Sequence, residues 1–450
     1  MRKIIVTCSF LLLSILGFAQ QDHTYSFDLE EAISFAIDSN YTAINARRDI
    51  AMAIKKKWET TAIGLPQINS DIGYQNNLKQ PVTLIPAEIT GGPPGTFVPV
   101  TFGTKQNATV NATLDQLIFD GSYLVGLKAA RTFLEFSENA AEKSILEIRK
   151  GVVNAYGSVL LTEELIAIFK KNKDNLEKNL FEIRKIYDNG LTEEENVEQL
   201  EITLLDVISQ LNNVQRMSII AKQMFNVSLG IDVNAKVHFE DSLDSLADEN
   251  IELSFLDSSL NIEQNVDYKI AFNLTEQRAL EMQLEKSRAL PRLTAFLNYG
   301  ASANNDTFSF LSNEQKWFQS SVLGINMSIP IYSSGFRNAK TQRAKIALAK
   351  AETNLDETIQ NVQLALNTAK SNYQFAIDNY ENSKKNILLA ERIERKNQVK
   401  FIEGLSSSFD LRQAQTQLYQ AQQQYFQSML DVITAKANLE TILNTPNLKN

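Results

Sequence analysis

One cysteine and two histidines in 450 residues leave almost nothing for a zinc site, a disulfide scaffold or Cys/His catalysis. No G-x-S-x-G, H-E-x-x-H, P-loop or glycine-rich dinucleotide turn occurs. His23 and His238 are far apart and read as surface or packing residues. The reading is therefore not an enzyme, with no cofactor and no metal. An excess of basic charge is also missing: Lys+Arg is 44 against Asp+Glu 53, a net charge of -9. That argues against binding to a nucleic-acid backbone. Proline (9) and glycine (17) are scarce, and proline is absent between Gly121 and Leu290 and between Ile331 and Pro446. A proline inside a helix costs about 3 kcal/mol, so these tracts have room for very long helices.

What is present begins with an address. Residues 1–19 combine basic Arg2 and Lys3, an apolar run from Ile4 to Phe18, and Gly17-Phe18-Ala19. This is the pattern of a signal peptide cleaved before Gln20. The single Cys8 lies inside it. No later stretch reaches the roughly 18 apolar residues expected of a membrane-spanning helix. If the exported chain enters a membrane, it does so as β-strands.

The proline-free tracts carry helical spacing. Leu124, Leu127, Ala130, Leu134, Ser137, Ala141, Ile145, Ile148, Val152, Tyr156 and Val159 advance in steps of 3 or 4. So do Ala344, Ala347, Ala351, Leu355, Thr358, Val362, Ala365, Ala369, Tyr373, Ala376 and Tyr380. The period is that of helices packed side by side as coiled coils. A helix from Gly335 to Phe401 would be roughly 100 Å long.

Elsewhere the period changes to 2. Ala108, Val110, Ala112 and Leu114 alternate with Asn107, Thr109, Asn111, Thr113 and Asp115. Leu323, Ile325, Met327, Ile329 and Ile331 alternate with Val322, Gly324, Asn326, Ser328 and Pro330. Ile68 to Gln75 and Leu293 to Ala301 supply two further strands, and each pairs with its downstream neighbour as a hairpin. The first hairpin loop, through Gly91-Gly92-Pro93-Pro94-Gly95, reads as long and flexible. Strands with one apolar and one polar face suit a soluble sheet edge or a barrel wall between lipid and lumen.

The chain repeats itself. Asn40 matches Asn265 and Leu65-Pro66 matches Leu290-Pro291, both at offset 225. Tyr187-Asp188-Asn189-Gly190-Leu191-Thr192 matches Phe401-Ile402-Glu403-Gly404-Leu405-Ser406 at offset 214. Ordered matches at constant offsets indicate a duplicated unit. The expected organisation is a signal peptide (1–19), a first repeat (20–229), an acidic linker (230–261), a second repeat (262–445) and a C-terminal tail (446–450). The linker breaks the helical period and is expected to form a small mixed layer, not a site.

The export signal, the duplicated Leu-Pro strand entry, the duplicated aromatic-x-x-Gly-Leu-Thr/Ser turn and the run Asp410-Leu411-x-Gln413-Ala414 resemble the TolC family of outer-membrane efflux proteins. The resemblance covers about Asp28 to Asn444. It implies a mainly α fold with a transmembrane β portion: a homotrimer with a long periplasmic helical barrel and a 12-stranded outer-membrane β-barrel, four strands per chain. It implies a passive exit duct from periplasm to exterior in a tripartite efflux or type I secretion system. The implied partners are outer-membrane lipid, a periplasmic membrane-fusion adaptor and an inner-membrane pump of RND or ABC type. The matching turns, Gly190-Leu191-Thr192 and Gly404-Leu405-Ser406, would meet the adaptor at the far periplasmic end. Glycine suits the reversal, and Thr192 and Ser406 are placed to cap the returning helices. Asp410, with Asn196 as its first-repeat counterpart, would line the periplasmic entrance. Three copies of Asp410 would favour cations and raise local proton affinity. The rivals are an exported coiled-coil structural or adhesin-like protein without channel activity, and a secreted helical pore-forming toxin. Neither accounts for the duplicated two-faced hairpins.

Overall fold

The computed structural model describes residues 24–444. The expected signal peptide and the tail at 446–450 lie outside the described residues, as does His23. In chain order the elements are β1 (Thr24–Phe27), α1 (Leu29–Ser39), α2 (Tyr41–Ala62), β2 (Gln67–Asn76), β3 (Val82–Pro86), β4 (Phe97–Thr101), β5 (Gln106–Asp120), α3 (Gly121–Asp188), α4 (Glu194–Leu229), β6 (Lys236–Phe239), α5 (Leu243–Glu249), α6 (Ser254–Asp257), α7 (Val266–Ser287), β7 (Arg292–Asn305), β8 (Phe318–Ser328), α8 (Phe336–Ile402) and α9 (Ser408–Leu443). Helices α3 and α8 run for 68 and 67 residues, each about 100 Å at 1.5 Å per residue. The chain divides into two compact units.

The first unit comprises residues 24–51, 136–272 and 354–444 of the described chain. Its core takes the expected stripe from α3: Ile148, Val152, Tyr156 and Val159 are buried. On α8 the stripe keeps to Val362, Ala369, Tyr373, Ala376 and Tyr380, and departs at one position: Leu366, not Ala365, is buried between Val362 and Ala369. A window of α3 is apolar enough to pass as a membrane span, contrary to the expectation from sequence, but 56% of it is buried in the protein. Its apolar residues pack against neighbouring helices.

The acidic linker forms β6, α5 and α6. β6 pairs with β1 in parallel, Phe27 opposite Phe239. Phe239, Leu243, Leu246, Ala247 and Phe255 enter the core. Tyrosines of the long helices hold this segment in place. Tyr156 Oη donates to the Phe27 carbonyl at 3.0 Å and lies 3.0 Å from Asp241 Oδ2. Tyr373 Oη donates to the Asn250 carbonyl at 2.6 Å and accepts from the Glu252 amide at 2.8 Å. Tyr380 Oη donates to Asp248 Oδ1 at 2.9 Å. Burial pushes the Tyr380 phenol up to about 12, so it stays a donor at neutral pH.

The second unit comprises residues 52–135 and 273–353. Its main sheet is antiparallel, in the order β2-β5-β7-β8. The two hairpins pair as their alternation suggests. β8 ends at Ser328, so Ile329 and Ile331 fall outside the expected strand; Pro330 has no amide to donate to a ladder. The first hairpin loop is not the loose segment expected from its glycines and prolines. It folds into a second hairpin, β3 against β4, with Val82 opposite Thr101 and Pro86 opposite Phe97.

Register separates the two faces of the main sheet. Ile72, Val110 and Ala301 are cross-strand neighbours, as are Leu114, Leu297 and Leu323. Paired residues share a face, so one face is apolar from edge to edge. It is open to solvent in the single chain: Ile72 is 81% exposed and Leu323 is 77% exposed. The other face aligns Asp71, Asn111, Gly300 and Ser320. There Asn298 Nδ2 donates to Thr113 Oγ1 at 2.7 Å, and Asn107 Nδ2 to Asn304 Oδ1 at 2.8 Å.

Candidate functional site

Both helix reversals lie in the first unit and close in the same way. At the α3–α4 turn, the Gly190 amide donates to the Tyr187 carbonyl at 2.7 Å and the Leu191 amide to Ile186 at 3.1 Å. At the α8–α9 turn, the Gly404 amide donates to Phe401 at 3.1 Å and the Leu405 amide to Lys400 at 2.7 Å. This pair of bonds is the Schellman closure, which needs a left-handed residue at the turn. Gly190 and Gly404 supply it with φ of 71° and 70°. Leu191 and Leu405 are 78% and 76% exposed.

The two turns flank one cleft of about 670 Å³. Ile186, Thr192, Asn196, Phe401, Ser406 and Phe409 are among its lining residues. Residues 214 apart in sequence are thus brought side by side. Ser408 Oγ donates to Gln199 Oε1 across the helix pairs at 3.3 Å. Farther along, the buried Asn172 Nδ2 donates to Gln422 Oε1 at 2.8 Å.

The caps differ from the expectation. The N-cap of α9 is Ser407, not Ser406. Its hydroxyl accepts from the Asp410 amide at 3.2 Å, and Asp410 Oδ2 accepts from the Ser407 amide at 3.1 Å. This is a reciprocal capping box, and Ser-x-x-Asp was its visible signal in the sequence. Ser406 Oγ instead donates to the Asn397 carbonyl at 3.5 Å. At α4 the N-cap is Glu193, without a side-chain cap bond. Thr192 Oγ1 accepts from Asn196 Nδ2 at 2.8 Å. Thr192 and Ser406 sit one residue too early because the Schellman closure uses Leu191 and Leu405 before the chain re-enters helix.

Asp410 is fully exposed, and its hydrogen bonds from the Ser407 hydroxyl and amide hold its carboxyl below the usual range. Within one chain the shift is opposite to the raised proton affinity expected of a threefold ring. One turn before the cleft residue Gln398, burial pushes the Glu394 carboxyl up, while a hydrogen bond with Gln415 and the charge of Arg395 draw it back. The sequence reading singled out neither Glu394 nor Gln415. A lone carboxylate on a Lys/Glu-rich helix gives no signal of its burial.

Residues 269–445 match the Outer membrane efflux protein family. The alkaline protease secretion protein AprF of Pseudomonas aeruginosa is 26% identical over 169 residues, covering 35% of this chain and 32% of AprF. The match thus spans about a third of that relative's length. Among solved structures, the chain resembles CusC with a TM-score of 0.74 and 16% identity, covering 93% of each chain. It resembles VceC of Vibrio cholerae with a TM-score of 0.72 and 15% identity, covering 92% of this chain and 96% of that one. It resembles the Campylobacter jejuni CmeC outer membrane channel with a TM-score of 0.73 and 14% identity, covering 92% and 85%. At these identities the structural likeness speaks to the fold, and the fold is the TolC-like one that the duplicated turns and hairpins implied. The family match thus falls on residues 269–445, and over 92–93% of its length the chain has the TolC-like fold of these outer-membrane proteins.

Proposed function

We propose that three copies of this chain form a passive exit duct across the outer membrane, serving an efflux or type I secretion system. The observation that carries this reading is the two-faced sheet. Its apolar face is open from Ile68 and Ile72 across to Leu323 and Ile325, covered where Phe310 packs on Ala108 and Ala303, and its edge strands β2 and β8 each lack a second partner among the described residues. Unpaired strand edges are not tolerated in lipid. Four strands cannot close a barrel, whereas twelve leave a lumen wider than side chains can fill.

In this reading the two Schellman turns form the periplasmic tip. Exposed Leu191 and Leu405 meet the adaptor, and Asp410 and Asn196 stand at the entrance. The adaptor in turn engages an inner-membrane pump of RND or ABC type. The chain does no chemistry of its own. AprF bears the name of a protease secretion protein, which supports a protein cargo alongside small-molecule efflux.

Purified protein in planar bilayers tests the reading. A trimer with discrete, cation-preferring conductance is the expected result, with conductance rising or cation preference falling in Asp410→Ala. A monomer that remains soluble and never conducts overturns the duct. Wild-type conductance and selectivity in assembled Asp410→Ala trimers remove Asp410 from the entrance.

A further inference from the structure

The chain as a whole is acidic, yet the helical segments flanking the main sheet are not. Residues 52–62, 121–131, 278–288 and 336–345 together hold twelve Lys and Arg against three Glu. All four segments belong to the second unit. They meet the same end of the sheet, where β2 and β7 begin and β5 and β8 end. Local contacts hold them together there: Tyr123 Oη donates to the Thr61 carbonyl at 3.1 Å, and Val125, Gly126, Arg278 and Leu284 line one groove.

Helix α2 shows the arrangement best. Lys55, Lys56, Lys57 and Trp58 are all exposed, and Ala53, with no exposed surface, marks the packed side. Successive residues turn by about 100°, so three consecutive lysines reach more than half of the circumference, and Lys55 and Trp58 share the face opposite Ala53. Only Lys56 is engaged among the described residues, 2.7 Å from Glu59. Beyond the helix, Ile63, Leu65 and Ile68 are exposed and lead directly into the apolar face of the sheet. The connection from β8 to α8 repeats the order: exposed Ile331 and Tyr332, then Phe336 with Lys340 Nζ 4.5 Å from its ring centre, then exposed Arg343 and Lys345. Apolar side chains, an aromatic and then cations, in that order, match the depth profile of a lipid leaflet from acyl chain through interface to phosphate.

We infer that this basic collar binds the headgroup phosphates of anionic phospholipids in the periplasmic leaflet. The inference rests on the outer-membrane reading proposed above and adds a lipid preference to it. The collar's cations complement the phosphate charge, and its position continues the lipid-facing surface of the sheet.

Trp58 is the reporter, with a Trp58→Phe protein supplying the background from Trp317. The intact protein is reconstituted into vesicles of equal composition, containing phosphatidylglycerol or phosphatidylcholine brominated near the headgroup end of the acyl chain. The expected result is quenching of Trp58 at least about twofold stronger by the anionic lipid, lost in Lys55→Gln/Lys57→Gln and at about 1 M salt. Equal quenching by both lipids, or a preference that survives the double substitution, overturns the collar. Vesicle-bound protein whose Trp58 is quenched by neither lipid overturns it as well, because a neighbouring subunit then covers α2. Protein that fails to float with either vesicle overturns the outer-membrane reading and the collar with it.

Discussion

A Cβ added to Gly230 would collide with the carbonyl oxygen of Ser39. Gly230 ends α4 in the left-handed region, at φ 77°. The same place in the second repeat, 214 residues on, is Asn444, also left-handed at φ 54°. There the Asn444 side chain donates to the carbonyl of Gln264 at 3.0 Å, and Gln264 is the counterpart of Ser39 at offset 225. One repeat lets the carbonyl approach by removing the side chain; the other keeps a side chain and bonds it to the carbonyl. The adjoining asparagines retain the duplication too. Asn40 Nδ2 donates to the Ser228 carbonyl at 2.7 Å, and Asn265 Nδ2 to the Ile442 carbonyl at 2.9 Å.

Gly230→Ala combines left-handed strain of about 1–2 kcal/mol with a backbone clash. We expect it to lower the apparent melting temperature of the purified protein by several degrees. Asn444→Gly keeps the permitted conformation and loses only partly exposed hydrogen bonds, so its effect should be smaller. Thermal unfolding followed by circular dichroism ranks the two. Equal melting temperatures for Gly230→Ala and wild type would remove the clash argument.

Ser407→Ala removes the side-chain cap of α9, which costs about 1 kcal/mol locally. Hydrogen exchange should speed up at the first turn of α9 and remain unchanged at α4, whose N-cap Glu193 makes no side-chain cap bond. The capping box also has a pH signature. The Asp410 carboxyl lies below its ordinary value when folded. Its contribution is therefore present above the unfolded pKa of about 4 and is lost as pH falls through the folded one. Protection of the α9 start should decline in that acid range in wild type, and Asp410→Asn should remove that decline.

Glu394 has the opposite sign. Burial raises its carboxyl, so the folded chain holds the proton more tightly than the unfolded chain. Its stabilising contribution is complete below the unfolded pKa of about 4.3 and is lost as pH rises through the folded value. Glu394→Gln keeps the neutral shape. It should raise the apparent melting temperature at pH 8 by about 1–3 °C and leave it unchanged near pH 4. A lower melting temperature in the Gln variant at pH 8 would mean that the ionised carboxylate is the better partner for Gln415.

The long helices, the four main strands and the two turns were legible because each rests on a period or an offset repeated over many residues. Tyr156 and Val159 mark the buried stripe of α3, and Val110 the apolar face of β5, by spacing alone. What was not legible depends on single contacts. β3 and β4 hold Pro86 and Pro99, which read as loop. The prolines are tolerated because this two-stranded sheet consists entirely of edge strands. β1 and β6 are four residues each and pair across more than 200 residues of chain, which no local pattern can announce. The caps were missed by one residue because a Schellman closure consumes the residue after glycine. The tyrosine clamps on Asp241 and Asp248 were missed because acidic residues in a linker look the same whether solvated or held, and Tyr373 grips the backbone of Asn250 and Glu252, which no side-chain pattern reveals.

The two faces of the main sheet give the sharpest test of which surface meets lipid. Val110 stands between Ile72 and Ala301, and Ile325 stands opposite Ala295 on the same apolar face. An arginine on a lipid-facing strand near mid-bilayer costs about 2–4 kcal/mol. Val110→Arg and Ile325→Arg should each reduce the protein recovered in outer-membrane fractions. Asn111→Arg is one residue away but lies between Asp71 and Gly300 on the polar face. It should insert at close to wild-type yield while altering conductance, because its charge enters the lumen. The position one residue along thus controls for strand propensity and local expression effects, leaving the face as the main difference. Normal yield of Val110→Arg and Ile325→Arg would mean that the apolar face does not meet lipid. Loss of Asn111→Arg alongside a tolerated Val110→Arg would invert the barrel.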